Sequence, residues 1–179
     1  METSIISMNV RGLGQKQKRL QVFQWLKEQN STIYMLQETH LTKNNIDQWK
    51  TDWQGDIIFS GSQSNSEGVC ILFNPKYKIK VENLKEIVTE RIITCEALIE
   101  NNRFTLINVY GPNKDNEHIF ELLNNYVLTN DEKNYIIGGD FNTTLNCTTD
   151  KKNGRSDTNK ICRKNPQLMQ NNDQINIWR

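Results

Sequence analysis

The chain of 179 residues and 21.0 kDa carries 22 basic and 21 acidic side chains, so its formal net charge is +1 and no global excess of either sign announces a partner. A hydrophobic content of 36%, a mean hydropathy of -0.71 and the lack of any apolar run near the length of a membrane span exclude a helical membrane protein and suit one domain with a sizeable core. Met1 to Arg11 lacks the basic start and long apolar core of a secretory leader, and Cys70, Cys95, Cys147 and Cys162 contain no close pair of the kind that holds zinc, which reads as reduced intracellular cysteines.

Ser4 to Asn9 reads as a first strand, with Ile5 and Ile6 apolar and Met8 and Val10 on alternate positions, and Arg11-Gly12-Leu13-Gly14 breaks it. From Lys16 to Gln29 the residues Leu20, Val22, Phe23 and Leu26 recur at helical spacing and Trp25 widens the stripe, so the stretch is an amphipathic helix. Thr32 to Gln37 is a second strand. It runs into Gln37-Glu38-Thr39-His40-Leu41, which sets an acid at a strand's end. Asn45 to Trp53 forms a short helix, and Asp56 to Gly61 and Gly68 to Asn74 are strands around a Ser-rich loop, the second closed by Pro75.

Arg91 to Glu100 and Arg103 to Val109 flank Asn101-Asn102 and form a hairpin, whose second strand ends at Asn108-Val109-Tyr110-Gly111-Pro112-Asn113. Asn116 to Leu128 is helical, with Ile119, Phe120, Leu122, Leu123, Tyr126 and Val127 in register. Tyr135-Ile136-Ile137-Gly138-Gly139-Asp140-Phe141-Asn142 follows, a short buried strand stopped by two glycines. Asn165, with Pro166 at the first turn, caps a last helix. No internal repeat or low-complexity linker is present.

Strands outnumber helices, with strand-helix-strand units at both the start and the end, so the class is α/β. Hairpins mixed with crossover helices favour two mixed β-sheets packed face to face, with helices outside, over a single parallel sheet. Charge is uneven along the chain. Arg11 to Lys27 carries Arg11, Lys16, Lys18, Arg19 and Lys27 without an acid, and from Lys151 onward Lys151, Lys152, Arg155, Lys160, Arg163, Lys164 and Arg179 stand against Asp157 and Asp173. If these ends share a face they steer a polyanion to it; otherwise they are solvated surface.

Asn9, Glu38, Tyr110, Asp140 and Asn142 all stand at strand ends, and residues two apart on an extended chain project the same way. Singly, each has an ordinary alternative: a turn former, a cap acid, a half-buried aromatic. Together they suit phosphodiester hydrolysis, in which a hard cation stabilises the phosphate charge and Mg²⁺ takes one or two carboxylates plus waters. Glu38 is then the metal ligand with Asn9 beside it, Asp140 orients or deprotonates the water, and Asn142 and Tyr110 hold the phosphate.

Met8-Asn9-Val10-Arg11-Gly12-Leu13, Leu36-Gln37-Glu38-Thr39-His40-Leu41, Gly68-Val69-Cys70-Ile71-Leu72-Phe73, Asn108-Val109-Tyr110-Gly111-Pro112-Asn113 and Gly138-Gly139-Asp140-Phe141-Asn142 resemble, in order and spacing, the endonuclease/exonuclease/phosphatase family. The Asn-Val-Arg-Gly-Leu and Gln-Glu-Thr-His-Leu forms resemble the apurinic-like endonucleases of non-LTR (LINE-type) retrotransposons. The resemblance implies a deoxyribonuclease I-like four-layer sandwich and one such domain over residues 1–179. It also implies a nick in DNA dependent on Mg²⁺ or Mn²⁺, a 3′-hydroxyl that primes reverse transcription, a nuclear location, and a reverse transcriptase in the full-length protein.

By the same resemblance Asn9, Glu38, Tyr110, Asp140 and Asn142 fall on active-site positions, with Glu38, Asn9 and Asp140 at the metal. Arg11, Lys16, Lys18, Arg19, Lys151, Lys152 and Arg155 are the DNA-binding candidates. The family's catalytic His lies in a later Ser-Asp-His motif, which neither His40 nor His118 matches, so the stretch is expected to stop before the family's last strands. Nicking near background is the expectation. A non-catalytic DNA-binding remnant is the alternative, and a phosphatase or lipid phosphodiesterase on the same fold a weaker one.

Overall fold

The computed structural model describes residues 3–61, 67–112, 117–130 and 134–142. The helix expected at Asn165, together with Cys147, Cys162, Lys151, Lys152 and Arg155, lies outside the described residues. Two compact units divide the chain: Met1–Tyr110 with Glu132–Asp140, and Gly111–Asp131 with Phe141–Arg179.

In the first unit run β1 (Ile5–Asn9), α1 (Lys16–Gln29), β2 (Ile33–Gln37), α2 (Ile46–Trp53), β3 (Ile57–Ser60), β4 (Val69–Phe73), β5 (Lys80–Val88), β6 (Ile92–Ile99), β7 (Asn102–Tyr110) and β8 (Tyr135–Asp140). They form two four-stranded mixed sheets, ordered β1-β2-β4-β3 and β5-β6-β7-β8. Each sheet has one parallel pair, β1 with β2 and β7 with β8, and antiparallel pairing elsewhere. Parallel neighbours end on the same side, so Asn9 lies opposite Gln37 and Tyr110 opposite Asp140. The expected two-sheet architecture is the one observed.

Alternation along β2 and β4 divides their side chains between two cores. Ile33, Met35, Val69, Ile71 and Phe73 face the other sheet and meet Ile93, Cys95, Ala97, Ile99 and Leu106. Tyr34, Leu36, Cys70 and Leu72 face outward against Phe23 and Leu26 of α1 and Trp49 and Trp53 of α2. Both faces of these strands are therefore covered, which is why their sequences read as unbroken apolar runs. Phe23 anchors the helical layer, with its ring edge-on to Trp49 at 5.4 Å and to Trp53 at 5.1 Å.

Gly138 and Gly139, expected to stop a buried strand, instead lie within half-buried β8, which runs through both to Asp140. A Cβ on Gly138 would lie 2.7 Å from Met35 Sδ, so glycine here lets β8 approach the facing sheet. Gly139 has φ +149° and a Cβ there would lie 1.9 Å from Val109 O, so the strand bends where only glycine fits.

The sequence reading passed over one strand, β5, which spans Lys80–Val88 at a sheet edge. Its alternation is hidden because Lys80, Asn83, Leu84, Lys85 and Glu86 are exposed, and its pairing slips between Glu82 and Lys85 and again between Glu86 and Val88. Charged side chains and bulges are what keep such an edge from pairing with another chain. The hairpin turn also sits one residue early: Glu100 and Asn101 take φ of 48° and 68°, as a two-residue turn between right-twisted strands requires, and Asn102 opens β7.

The second unit contains α3 (Glu117–Thr129), with Ile119, Phe120, Leu123 and Val127 buried and the Phe120 ring stacked on Phe141 at 6.4 Å. His118 is on its exposed side, as expected.

Candidate active site

Four of the five expected residues meet at the ends of β1, β2, β7 and β8. Asn9 Nδ2 donates to Glu38 Oε1 at 2.8 Å and to Asp140 Oδ2 at 2.8 Å, so one carboxamide bridges the two acids. The Tyr110 hydroxyl donates to the same Glu38 Oε1 at 2.8 Å. Asn9 Oδ1 in turn accepts the backbone N–H of Arg11 at 3.1 Å, an Asx turn that fixes which way the amide points. As placed, its nitrogen faces the acids and its oxygen faces the turn.

Glu38 follows the last residue of β2 and takes a left-handed φ of 51°. The turn after β1 is bonded to this bend, with Gly12 N–H donating to Glu38 O at 2.6 Å and Leu13 N–H to Thr39 O at 2.9 Å. Its carboxyl is held below the ordinary value of 4.5, chiefly by the Asn9 hydrogen bond; burial opposes this, the Tyr110 bond adds to it, Asp140 opposes it, and the His40 charge helps slightly. Glu38 is thus ionised at neutral pH, with two donors already aimed at one oxygen.

Asn142, two residues beyond Asp140 in sequence, belongs to the second unit, where its side-chain amide donates to Gly111 O at 2.8 Å. His40 lies over the turn after β1: a Cβ on Gly12 would come within 2.7 Å of its ring. It is half-buried and contributes charge near Glu38.

The basic residues of the first helix have separate fates. Arg11 and Lys16 are exposed. Lys18 donates its ammonium to Val10 O at 2.9 Å and Arg11 O at 2.7 Å. Arg19, a DNA-binding candidate from sequence, is corrected: it is 1% exposed, paired with Asp52 at 2.7 Å, bonded to Leu13 O and set over the Trp49 ring. A guanidinium used to hold a helix to its neighbours cannot also reach a DNA backbone.

Sequence reasoning missed three supporting residues. Gln37 Nε2 donates to Asn108 Oδ1 at 2.8 Å, and Asn108 Nδ2 donates to Leu36 O at 3.0 Å and Cys70 O at 2.8 Å, all buried between the sheets directly beneath Glu38 and Tyr110. The signal was there, since an amide interrupting an apolar strand is costly unless bonded. Arg91 places its guanidinium 4.5 Å from the Tyr110 ring centroid and pairs with Glu67. No sequence pattern marked it.

The Cys70 and Cys95 thiols are free and buried, and burial pushes Cys95 up to about 12 and Cys70 higher still, so both are inert. Among the described residues no helix is long and apolar enough to cross a membrane.

A model of the Endonuclease/Exonuclease/phosphatase family matches residues 6–157. The chain is 28% identical over 182 residues to the transposon TX1 uncharacterized 149 kDa protein of Xenopus laevis, and it spans 14% of that protein's length. AP endonuclease LMAP from Leishmania major shares the fold with a TM-score of 0.75 at 15% identity, over 98% of this chain and 68% of that one. So does the endonuclease domain of TRAS1, a telomere-specific non-LTR retrotransposon, with a TM-score of 0.69 at 14% identity, over 93% of this chain and 70% of that one.

Proposed function

We propose that this chain, which belongs to the endonuclease/exonuclease/phosphatase family, is a metal-dependent DNA endonuclease that hydrolyses a phosphodiester at the Glu38, Asn9 and Asp140 cluster. The observation that carries the reading is the Asn9 amide bridging two carboxylates at 2.8 Å each, with Tyr110 on the same Glu38 oxygen. Relationship to a transposon protein and fold likeness to a retrotransposon endonuclease support DNA as substrate.

The donor set fits Mg²⁺ or Mn²⁺. Glu38 and Asp140 offer hard oxygen ligands, Glu38 is kept ionised, and Mg²⁺ needs only one or two carboxylates besides water and substrate oxygens. Among the described residues no group of three or more His, Cys, Asp and Glu side chains is placed to hold a metal, so the ion would rest on the two carboxylates, water and substrate oxygens. Glu38 and Asp140 would hold the ion with Asn9 beside them, and the ion would supply Lewis-acid stabilisation of charge on the phosphate.

The chain's own groups then have distinct tasks. Asp140 orients the attacking water and takes its proton. The water oxygen bonds to phosphorus while the bond to the 3′ oxygen breaks, and that oxygen is protonated, leaving a 3′-hydroxyl and a 5′-phosphate. Asn142, from its sequence position, donates to a phosphate oxygen in line with the attack, while Tyr110, whose one hydroxyl proton goes to Glu38, holds that carboxylate in place. Arg11 and Lys16 give the described part of the DNA contact; Lys151, Lys152 and Arg155 extend it from sequence.

In this reading the nick primes reverse transcription in the nucleus, by a reverse transcriptase elsewhere in a longer protein. Turnover by residues 1–179 is expected to be slow, since neither His40 nor His118 matches the family's Ser-Asp-His. Supercoiled plasmid incubated at length with Mg²⁺ tests the assignment. Slow nicking whose ends a DNA polymerase extends, absent in Asp140→Asn and in chelator, is expected; nicking unchanged in Asp140→Asn would defeat it.

A further inference from the structure

Lys18 is placed where a helix disfavours it. It lies in the first turn of α1, which holds no acid, and Gln15 before it makes no side-chain cap bond. A cation there runs against the helix dipole. Its ammonium instead reaches back to two carbonyls of the turn after β1, Val10 O at 2.9 Å and Arg11 O at 2.7 Å. Between those carbonyls Arg11 takes a left-handed φ of 49°, a conformation a non-glycine residue keeps only when its surroundings hold it. That conformation presents the Arg11 N–H to Asn9 Oδ1 at 3.1 Å, and the Asn9 amide so fixed bridges Glu38 and Asp140.

We propose that Lys18 is a positioning residue for the two acids, acting through the turn and Asn9, and not a contact to DNA. The inference deepens the metal-dependent reading and rests on it for its consequence, though not for its geometry. Were the clamp released, Arg11 would relax, the Asn9 amide would be free to rotate, and the acids would lose the donor that holds them together. The Lys18 ammonium is engaged by two carbonyl oxygens of the turn after β1, so it adds less to phosphate neutralisation than exposed Lys16 does.

Lys18→Met keeps the aliphatic stem and removes the donors; Lys16→Met is its exposed comparator, and Lys18→Gln, with one donor group, serves if the first variant folds poorly. Without metal, the Asn9 side-chain NH₂ resonances should shift and the Arg11 amide should lose exchange protection in Lys18→Met. Titrated with Mn²⁺ alone, that variant should bind at least fivefold more weakly, with no further loss when combined with Asn9→Ala. Its salt slope for a short duplex in chelator should match wild type, whereas Lys16→Met should lower the slope by about 0.9. Unchanged Asn9 and Arg11 signals, unchanged Mn²⁺ affinity, or a Lys18→Met slope lowered by one contact would each overturn the proposal. If wild type binds no Mn²⁺, the metal reading fails by itself and the metal-free resonances decide Lys18.

Discussion

The Tyr110 hydroxyl and the Glu38 carboxylate are 72 residues apart in sequence and belong to opposite sheets, yet they are joined at 2.8 Å. The bond is possible because β2 and β7 each end in the same direction beside a parallel partner, so the pleat delivers both side chains to one rim. Tyr110→Phe removes only the hydroxyl. A hydrogen bond to a charged group contributes about 1.5–3 kcal/mol, so divalent-ion affinity should fall by roughly tenfold, 1.4 kcal/mol, while the fold persists. Calorimetry showing equal affinity would remove Tyr110 from the site.

Asn9→Ala takes the shared donor from between two acids. In chelator the variant should lose about 1–3 kcal/mol, which is about 2–4 °C of melting temperature per kcal/mol for a chain of this size. Added Mg²⁺ should raise its stability less than it raises that of wild type, since a ligand that binds only the folded state stabilises it by an amount set by its affinity, and the amide that holds the two acids together is gone. Asn9→Asp, with a third carboxylate, should show a larger loss and a larger recovery. Thermal melts of the three proteins with and without Mg²⁺ decide it.

The depressed carboxyl of Glu38 gives a pH dependence with a definite sign. Its folded value is below the ordinary 4.5, so the ionised form stabilises the fold; this contribution is complete above 4.5 and is lost as pH falls through the folded value. Glu38→Gln should therefore flatten the decline of stability below pH 4.5 in chelator and leave the neutral range less affected. Denaturant titrations that decline with the same slope in both proteins would contradict this.

Much of this was legible beforehand. Apolar runs such as Ile33 to Leu36 and Val69 to Phe73 gave the buried strands, and polar residues at their ends pointed to the rim. β5 was not legible, because an edge strand is marked by pairing, and its exposed charges carry no alternation. Nor was the burial of Arg19, since Asp52 and Trp49 approach it only once α1 and α2 pack. Lys18 and Arg19 look alike in sequence; which cation faces inward is settled by helix phase and by what the neighbouring turn leaves unpaired.

The Gln37 and Asn108 amides carry a separate expectation. Asn108→Leu would take the shared amide from Leu36 O and Cys70 O, each costing about 1–3 kcal/mol, while Gln37 Nε2 keeps Ser7 Oγ and Met35 O. The variant should be strongly destabilised, and Gln37→Leu should add less on top of it than it costs alone, because the two residues share one network. Additive losses in urea unfolding would show that the amides act independently.

The central claim is that the strand-end acids form a divalent-ion site, and Mn²⁺ titration calorimetry of wild type, Glu38→Gln and Asp140→Asn tests it most directly. Weak, saturable binding by wild type that falls at least tenfold in both variants, with their folds intact by circular dichroism, is the predicted result. Equal Mn²⁺ affinity in all three proteins, or no binding by wild type, would contradict it.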